Sequence, residues 1–138
     1  MNKSWLAIAF LCLGISNCGE SPFELNTTQG VWGQAAFYEG NFQPKTPSGI
    51  MTYVKRTVYF FELTNMSDNV EVFPDFAPES GIFYSKINSK LIGCARSDDQ
   101  GLFQKSLPVG DYSVFVLERG YYYFNTTDGV NNIAPVRV

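Results

Sequence analysis

Residues 98–116 read turn, strand, turn, strand, and they leave the chain few folds to choose from. Asp98, Asp99, Gln100 and Gly101 make the first turn, because glycine can take positive φ and the carboxylates can accept hydrogen bonds from turn amides. This turn is expected to close a hairpin. Side chains alternate along a strand, so Phe103, Lys105 and Leu107 share one face. Pro108, Val109, Gly110 and Asp111 form the second turn, in which proline presets φ and glycine relieves the bend. In the strand that follows, Tyr112, Val114 and Val116 are expected to point inward, with Ser113 and Phe115 on the other face. Tyr112 is the expected core anchor of this unit.

The pattern Asp-x-x-Gly-x-Phe followed by Leu-Pro-x-Gly-x-Tyr-x-Val-x-Val resembles the signature of carboxypeptidase regulatory-like domains, which are small transthyretin-like (prealbumin-like) β-sandwiches. It is met here nearly position by position. Lys105 departs from it, standing where such domains usually put an apolar residue, so its strand is expected at an edge or with the lysine stem laid along apolar surface and the ammonium in water. Val31, Gly33 and Ala35 resemble the opening of the same domains, and Gly120-Tyr121 resembles their Gly-Tyr pair. The resemblance covers about residues 30–138. It implies an all-β, seven- to eight-stranded Greek-key β-sandwich of transthyretin-like type. Such domains are usually accessory modules that pack against a neighbour.

The rest of the chain is consistent with that architecture. Aromatic residues make up 16% of the sequence, a bias that favours strands over helices. A first strand is expected over 30–38, with Val31, Gly33, Ala35 and Phe37 on one face and Trp32, Gln34, Ala36 and Tyr38 on the other. Residues 39–56 hold two prolines and two glycines and read as a loop ending in an extended lead-in. The run 57–64 is apolar on both faces, as a central strand is. Residues 65–81 read as a solvated acidic loop, since the tight Asp-x-Asp-x-Asp-Gly spacing of a calcium loop is absent. Segments 82–87 and 91–97 are expected to pair as a hairpin around Asn88 and Ser89. Residues 132–138 supply a closing strand, with Val136 and Val138 on one face.

The first 17 residues read as a leader rather than as part of the fold. Lys3 gives a positive start, and the apolar run from Trp5 to Ile15 is too short for a spanning helix, which needs about 20 residues. Ile15-Ser16-Asn17-Cys18 resembles a bacterial lipobox, with Asn17 in place of the commoner Gly or Ala. The resemblance implies cleavage before Cys18 and lipidation of that cysteine. The expected organisation is a lipoprotein signal peptide over 1–17, lipidated Cys18 and a tether over 18–28, and the carboxypeptidase regulatory-like β-sandwich domain over 29–138. Localisation follows as a lipid anchor in the outer membrane, on its periplasmic face or at the cell surface. With Cys12 leaving in the leader and Cys18 acylated, Cys94 is expected to pack as a small hydrophobe.

Charge and composition exclude more than they specify. Loss of the leader leaves nine basic against thirteen acidic residues, a formal charge of −4, and nucleic acid demands the opposite balance. The chain has no histidine. Hydroxyisourate hydrolases and intradiol dioxygenases, which have the same or a related sandwich, depend on histidines, and a catalytic thiol at Cys94 lacks the base it needs. Asp98 and Asp99 are adjacent on a turn and point apart, unlike paired catalytic acids. The expected function is therefore a non-catalytic, lipid-anchored envelope module without a cofactor or metal, binding an unknown envelope protein or bracing an assembly. Glycan binding through Trp32, Tyr38 and the aromatic run 121–124 is the alternative. Alternation sends Tyr121 and Tyr123 to one face of that run, taken as the core side. Tyr122 and Phe124 are left as the candidate binding surface.

Overall fold

The computed structural model describes residues 24–40, 48–78, 82–124 and 126–138. These form strands β1 (Gly30–Gln34), β2 (Ala36–Glu39), β3 (Ile50–Tyr53), β4 (Thr57–Glu62), β5 (Glu71–Val72), β6 (Phe83–Tyr84), β7 (Leu91–Arg96), β8 (Leu102–Ser106), β9 (Asp111–Glu118), β10 (Tyr121–Tyr123) and β11 (Pro135–Arg137). All pairings are antiparallel. A seven-stranded sheet runs β5-β6-β10-β9-β4-β7, with β11 beside the first half of β9. Two smaller ribbons, β1-β8 and β2-β3, accompany it. The molecule is all-β and sandwich-like, as expected at that level. Strands outnumber the seven or eight expected because several are two or three residues long and the first is broken at Ala35.

Strand β4 is central, between β7 and β9, and both of its faces are covered. Residues directly opposite across a ladder share a face. Val58 and Phe60 therefore lie with Tyr112, Val114 and Val116 on one side, where Leu107 and Phe103 close over them from the β1-β8 ribbon and its exit. Tyr59 and Phe61 lie with Ser113, Phe115 and, from β6, Tyr84 on the other side, where Ile87, Phe124 and Ile133 cover them. Among the described residues no second sheet does this work. Loops do, tied down by short polar side chains.

Those ties are specific. Ser113 Oγ accepts from Thr64 N–H at 3.0 Å, and Ile133 N–H donates to Thr64 O at 2.9 Å. Asn65 caps a short 3-10 helix, Met66–Asp68, and its Nδ2 donates to Val130 O at 2.7 Å. Buried Asn69 donates to Thr64 Oγ1 and accepts from Asn88 N–H at 2.8 Å. This corrects two expectations. The stretch from 65 is not simply solvated, and 82–87 does not pair with 91–97. Asn88 is held by Asn69 and by Asp68 O, so β6 pairs with β5 and β10 while β7 pairs with β4.

The two signature turns form as expected but connect differently. Asp98 Oδ1 accepts from the amides of Gln100 and Leu102, each at 2.9 Å, and Gly101 has φ 76°. The strands it links, β7 and β8, belong to different sheets, so the turn is an arch between layers rather than a hairpin. The turn at 108–111 likewise crosses from β8 to β9. Tyr112 Oη donates to Pro108 O at 2.8 Å, a tyrosine corner that pins the crossing to a ring buried between the layers. Lys105 behaves as its position demands. Strand β8 pairs only with β1, and the lysine stem runs over Gly93, where a methyl group would meet Lys105 Cε at 2.9 Å.

Cys94 departs from expectation. It is buried in β7 and disulfide-bonded, and its partner lies outside the described residues. The assumption that no sulfur was left for it came from assigning fates to Cys12 and Cys18 first.

Tyr112→Ala should cost about 3–5 kcal/mol in urea denaturation, as aromatic truncations in a core do. Tyr112→Phe, which removes only the corner bond, should cost about 0.5–1.5 kcal/mol. Asp111→Ala should matter far less, because its 2.7 Å ion pair with Arg137 is solvent-screened. Equal, small effects at positions 111 and 112 would reverse the inward face of β9.

The loop that covers the second core also carries a titratable latch. Asn132 Nδ2, Asn132 N–H and Val130 N–H all donate to the Asp128 carboxylate, within 3.0 Å, and hold its pKa below the usual carboxylate range. A depressed folded-state pKa contributes stability that is complete above the unfolded value, about 4, and lost as pH falls through the folded value. The stability gap between wild type and Asp128→Asn should therefore be full at pH 6 and close in acid. A gap independent of pH in denaturation curves would mean the latch bonds do not need the charge.

Candidate functional site

The inner face of the large sheet is only half roofed. The β1-β8 ribbon covers the end of β9 near Tyr112, while the chain beyond Ala35 turns away. At Ala35 the strand changes partner: its N–H donates to Gly101 O at 2.7 Å, and its C=O accepts from Val54 N–H at 3.1 Å. A side chain at Gly101 would strike the Ala35 carbonyl, so the signature glycine both turns the arch and admits this contact. Beyond the switch, β2 pairs with β3 and with no other strand among the described residues.

The resulting β2-β3 arm is exposed on both sides. Ala36, Tyr38, Met51 and Tyr53 share one face by register, and Phe37, Glu39, Ile50 and Thr52 the other. Ile50 is 63% exposed, and Phe37, Tyr38, Met51 and Tyr53 are exposed as well. A two-stranded ribbon is marginal by itself, and monomers seldom leave so much contiguous apolar surface uncovered. Sequence reading missed the arm because the prolines and glycines of 39–56 announced a loop. The β-rich run Ile50-Met51-Thr52-Tyr53 was the available signal.

Between the root of the arm and the large sheet lies a groove of about 530 Å³. Val58, Val114, Val116, Phe83, Tyr123 and Val136 form its floor, and residues 35–38 and Phe103 its wall. Its charged feature is the Arg56–Glu118 pair at 2.7 Å, both side chains being partly covered. Burial pushes the Tyr123 phenol's pKa up, so it stays neutral and able to donate. Among the described residues no three of His, Cys, Asp and Glu converge as a metal site would require. Those residues thus hold no obvious metal or cysteine machinery for catalysis, and what the groove offers is apolar contact with a few polar handles.

The candidate surface at Tyr122 and Phe124 is corrected. Tyr122 pairs opposite Leu117 and Tyr84, which puts it on the loop-covered face. Its ring meets Tyr59 and Phe61 edge-on, each at 5.4 Å, while buried Phe124 stacks on Tyr84 at 5.6 Å. Phe124 belongs to the core, and half-buried Tyr122 packs against it. Tyr121 and Tyr123 do lie on the opposite face, half-buried, with Phe76 and Phe83 against them. Trp32 and Tyr38, the rings offered for glycan contact, are each 60% exposed, and Phe37, on the other face of the expected first strand, is exposed as well, that strand being broken at Ala35. Cys18 lies outside the described residues. No family model, curated protein or solved structure matches the chain.

Proposed function

We propose that the chain is a non-catalytic, lipid-anchored module of the cell envelope, a transthyretin-like sandwich of the carboxypeptidase regulatory-like kind, that holds a partner protein through its β2-β3 arm and the adjoining groove. The observation that carries the reading is the arm, whose two faces expose apolar side chains beside an apolar groove. Among the described residues the ribbon joins no further strand, and a ribbon beside a groove suits an extended segment, since strand addition gives backbone hydrogen bonds and seats alternate side chains. The corner at Tyr112 and the arch at Asp98 support the family resemblance.

Replacing Ile50 and Tyr53 together by Ser should change stability by no more than about 0.5 kcal/mol per site, as exposed substitutions do. A photo-crosslinker at position 50 should capture a partner on intact cells, while one at Val109, an exposed apolar residue of the 108–111 turn, should not. Identical capture from both positions would sink the arm as the binding element. Glycan binding is the second reading, carried by the exposed rings of Trp32 and Tyr38. Loss of polysaccharide binding in Trp32→Ala, with crosslinks from position 50 unchanged, would favour it.

The anchor is placed at Cys18, in the outer membrane. Each buried methylene contributes roughly 0.8 kcal/mol and a single chain binds only marginally, so firm attachment needs the several chains of a bacterial lipoprotein. Acylation also bears on the disulfide of Cys94, because the other cysteines are Cys12 and Cys18. Cleavage before Cys18 removes the first, and a thioether leaves the second no bond to give. Unreduced protein from membranes should partition into detergent and yield an N-terminal peptide that starts at acylated Cys18. A peptide pair joining Cys94 to Cys18 would overturn the anchor.

A further inference from the structure

The tether is shorter than its sequence suggests, and it leaves the domain at a fixed place. Residues 24–27 are bound to the side chain of Gln104 in the middle of β8. Gln104 Oε1 accepts from Asn26 N–H at 3.1 Å, Thr27 N–H at 3.2 Å and Thr27 Oγ1 at 2.9 Å, and Gln104 Nε2 donates to Glu24 O at 2.6 Å. The tether expected over 18–28 is thus a docked strap from Glu24 onward. Six peptide units separate Cys18 from Glu24. Whatever their conformation, they span at most about 22 Å.

The strap lies on the outer face of the β1-β8 ribbon, because Gln104 points there. By register that face presents Gly30 with Ser106, Trp32 with Gln104, and Gln34 with Leu102, all of them uncharged. The protein around it is acidic, and the strap contributes one carboxylate at Glu24. Directly opposite Gln104 stands Trp32, 60% exposed, and the strap adds Leu25, 53% exposed. A large exposed indole and a leucine thus stand at the root of the tether. Indole rings favour the membrane–water interface, where an apolar body meets headgroups and its N–H stays wet.

We infer that the outer face of the β1-β8 ribbon, led by Trp32 and Leu25, rests on the lipid surface to which Cys18 is anchored; this rests on the acylation reading above. The bilayer is the occupant because the tether root and the tether length place it within reach, and because the face holds no carboxylate of its own to be repelled by lipid phosphates. The strap makes the arrangement directional. With the chain pinned at Gln104 in β8, the β2-β3 arm continues from β1, the strand paired with it.

Trp32 is the sole tryptophan after residue 17, so the mature chain reports on this face without further engineering. The acylated protein, purified from membranes, is reconstituted into phosphatidylcholine vesicles with either plain or brominated acyl chains. Co-flotation with vesicles tests the anchor, and Trp32 emission tests the face. The expected result is flotation, a blue shift relative to protein in detergent-free solution after lipase release, and quenching by the brominated chains. Gln34→Glu, an exposed near-isostere on the same face, should float equally and lose part of the quenching. Flotation with identical emission in plain and brominated vesicles overturns the inferred face and leaves the anchor standing. Protein that does not float overturns the anchor and the inference with it. Emission that answers to added oligosaccharide but not to brominated lipid also overturns it, in favour of a glycan contact.

Discussion

Strand β4 buries side chains on both of its faces, Val58 and Phe60 on one and Phe61 on the other, and the rest of the structure depends on that double burial. A sheet covered on both sides needs two roofs. One is the β1-β8 ribbon over Val58 and Phe60; the other is a set of loops over Tyr59 and Phe61. Loops normally stay at the surface because their backbone groups need partners. Here Thr64, Asn65, Asn69, Asn88 and Ser113 supply those partners, so irregular chain can serve as a layer. The price is one unmatched group: the Tyr84 hydroxyl is buried without a hydrogen-bond partner among the described residues.

Much of this was written plainly in the sequence. The run 57–64 announced a central strand by carrying apolar side chains on both faces, and residues 111–118 alternated as β9 does. Both signature turns adopt the geometry their Asp, Gly and Pro residues prescribe. What remained hidden depended on contacts between distant residues. Nothing local tells that Asn88 is claimed by Asn69 rather than by a hairpin turn. Nor does alternation alone say which side of a strand is the core when both sides are covered, and this is why Tyr122 and Phe124 were placed outside. The candidate surface moved accordingly, from the aromatic run of β10 to the arm, whose apolar residues sit within a stretch that its prolines mark as loop.

The arm and the groove share one hinge point. Ala35 bonds to the arch at Gly101 and to the lead-in at Val54, so the position of β2 is set by the signature turn rather than by the arm's own packing. The turn geometry at 98–101 therefore does two jobs. It carries the chain between layers, and it fixes the wall of the groove against a floor built on β4 and β9.

The Gln104 clamp joins residues nearly 80 positions apart along the chain, and it is typical of the wiring. Strand β1 finds its partner only in β8, and β9 must gather β4, β10 and β11. Loops of that length must close before any such pairing contributes, which makes folding slow relative to helical domains of similar size. A nascent chain of this design holds few native pairings until almost all of it has been synthesised. Delay of that kind keeps a polypeptide threadable, so the same long-range pairing that secures the finished domain leaves the growing one open to translocation.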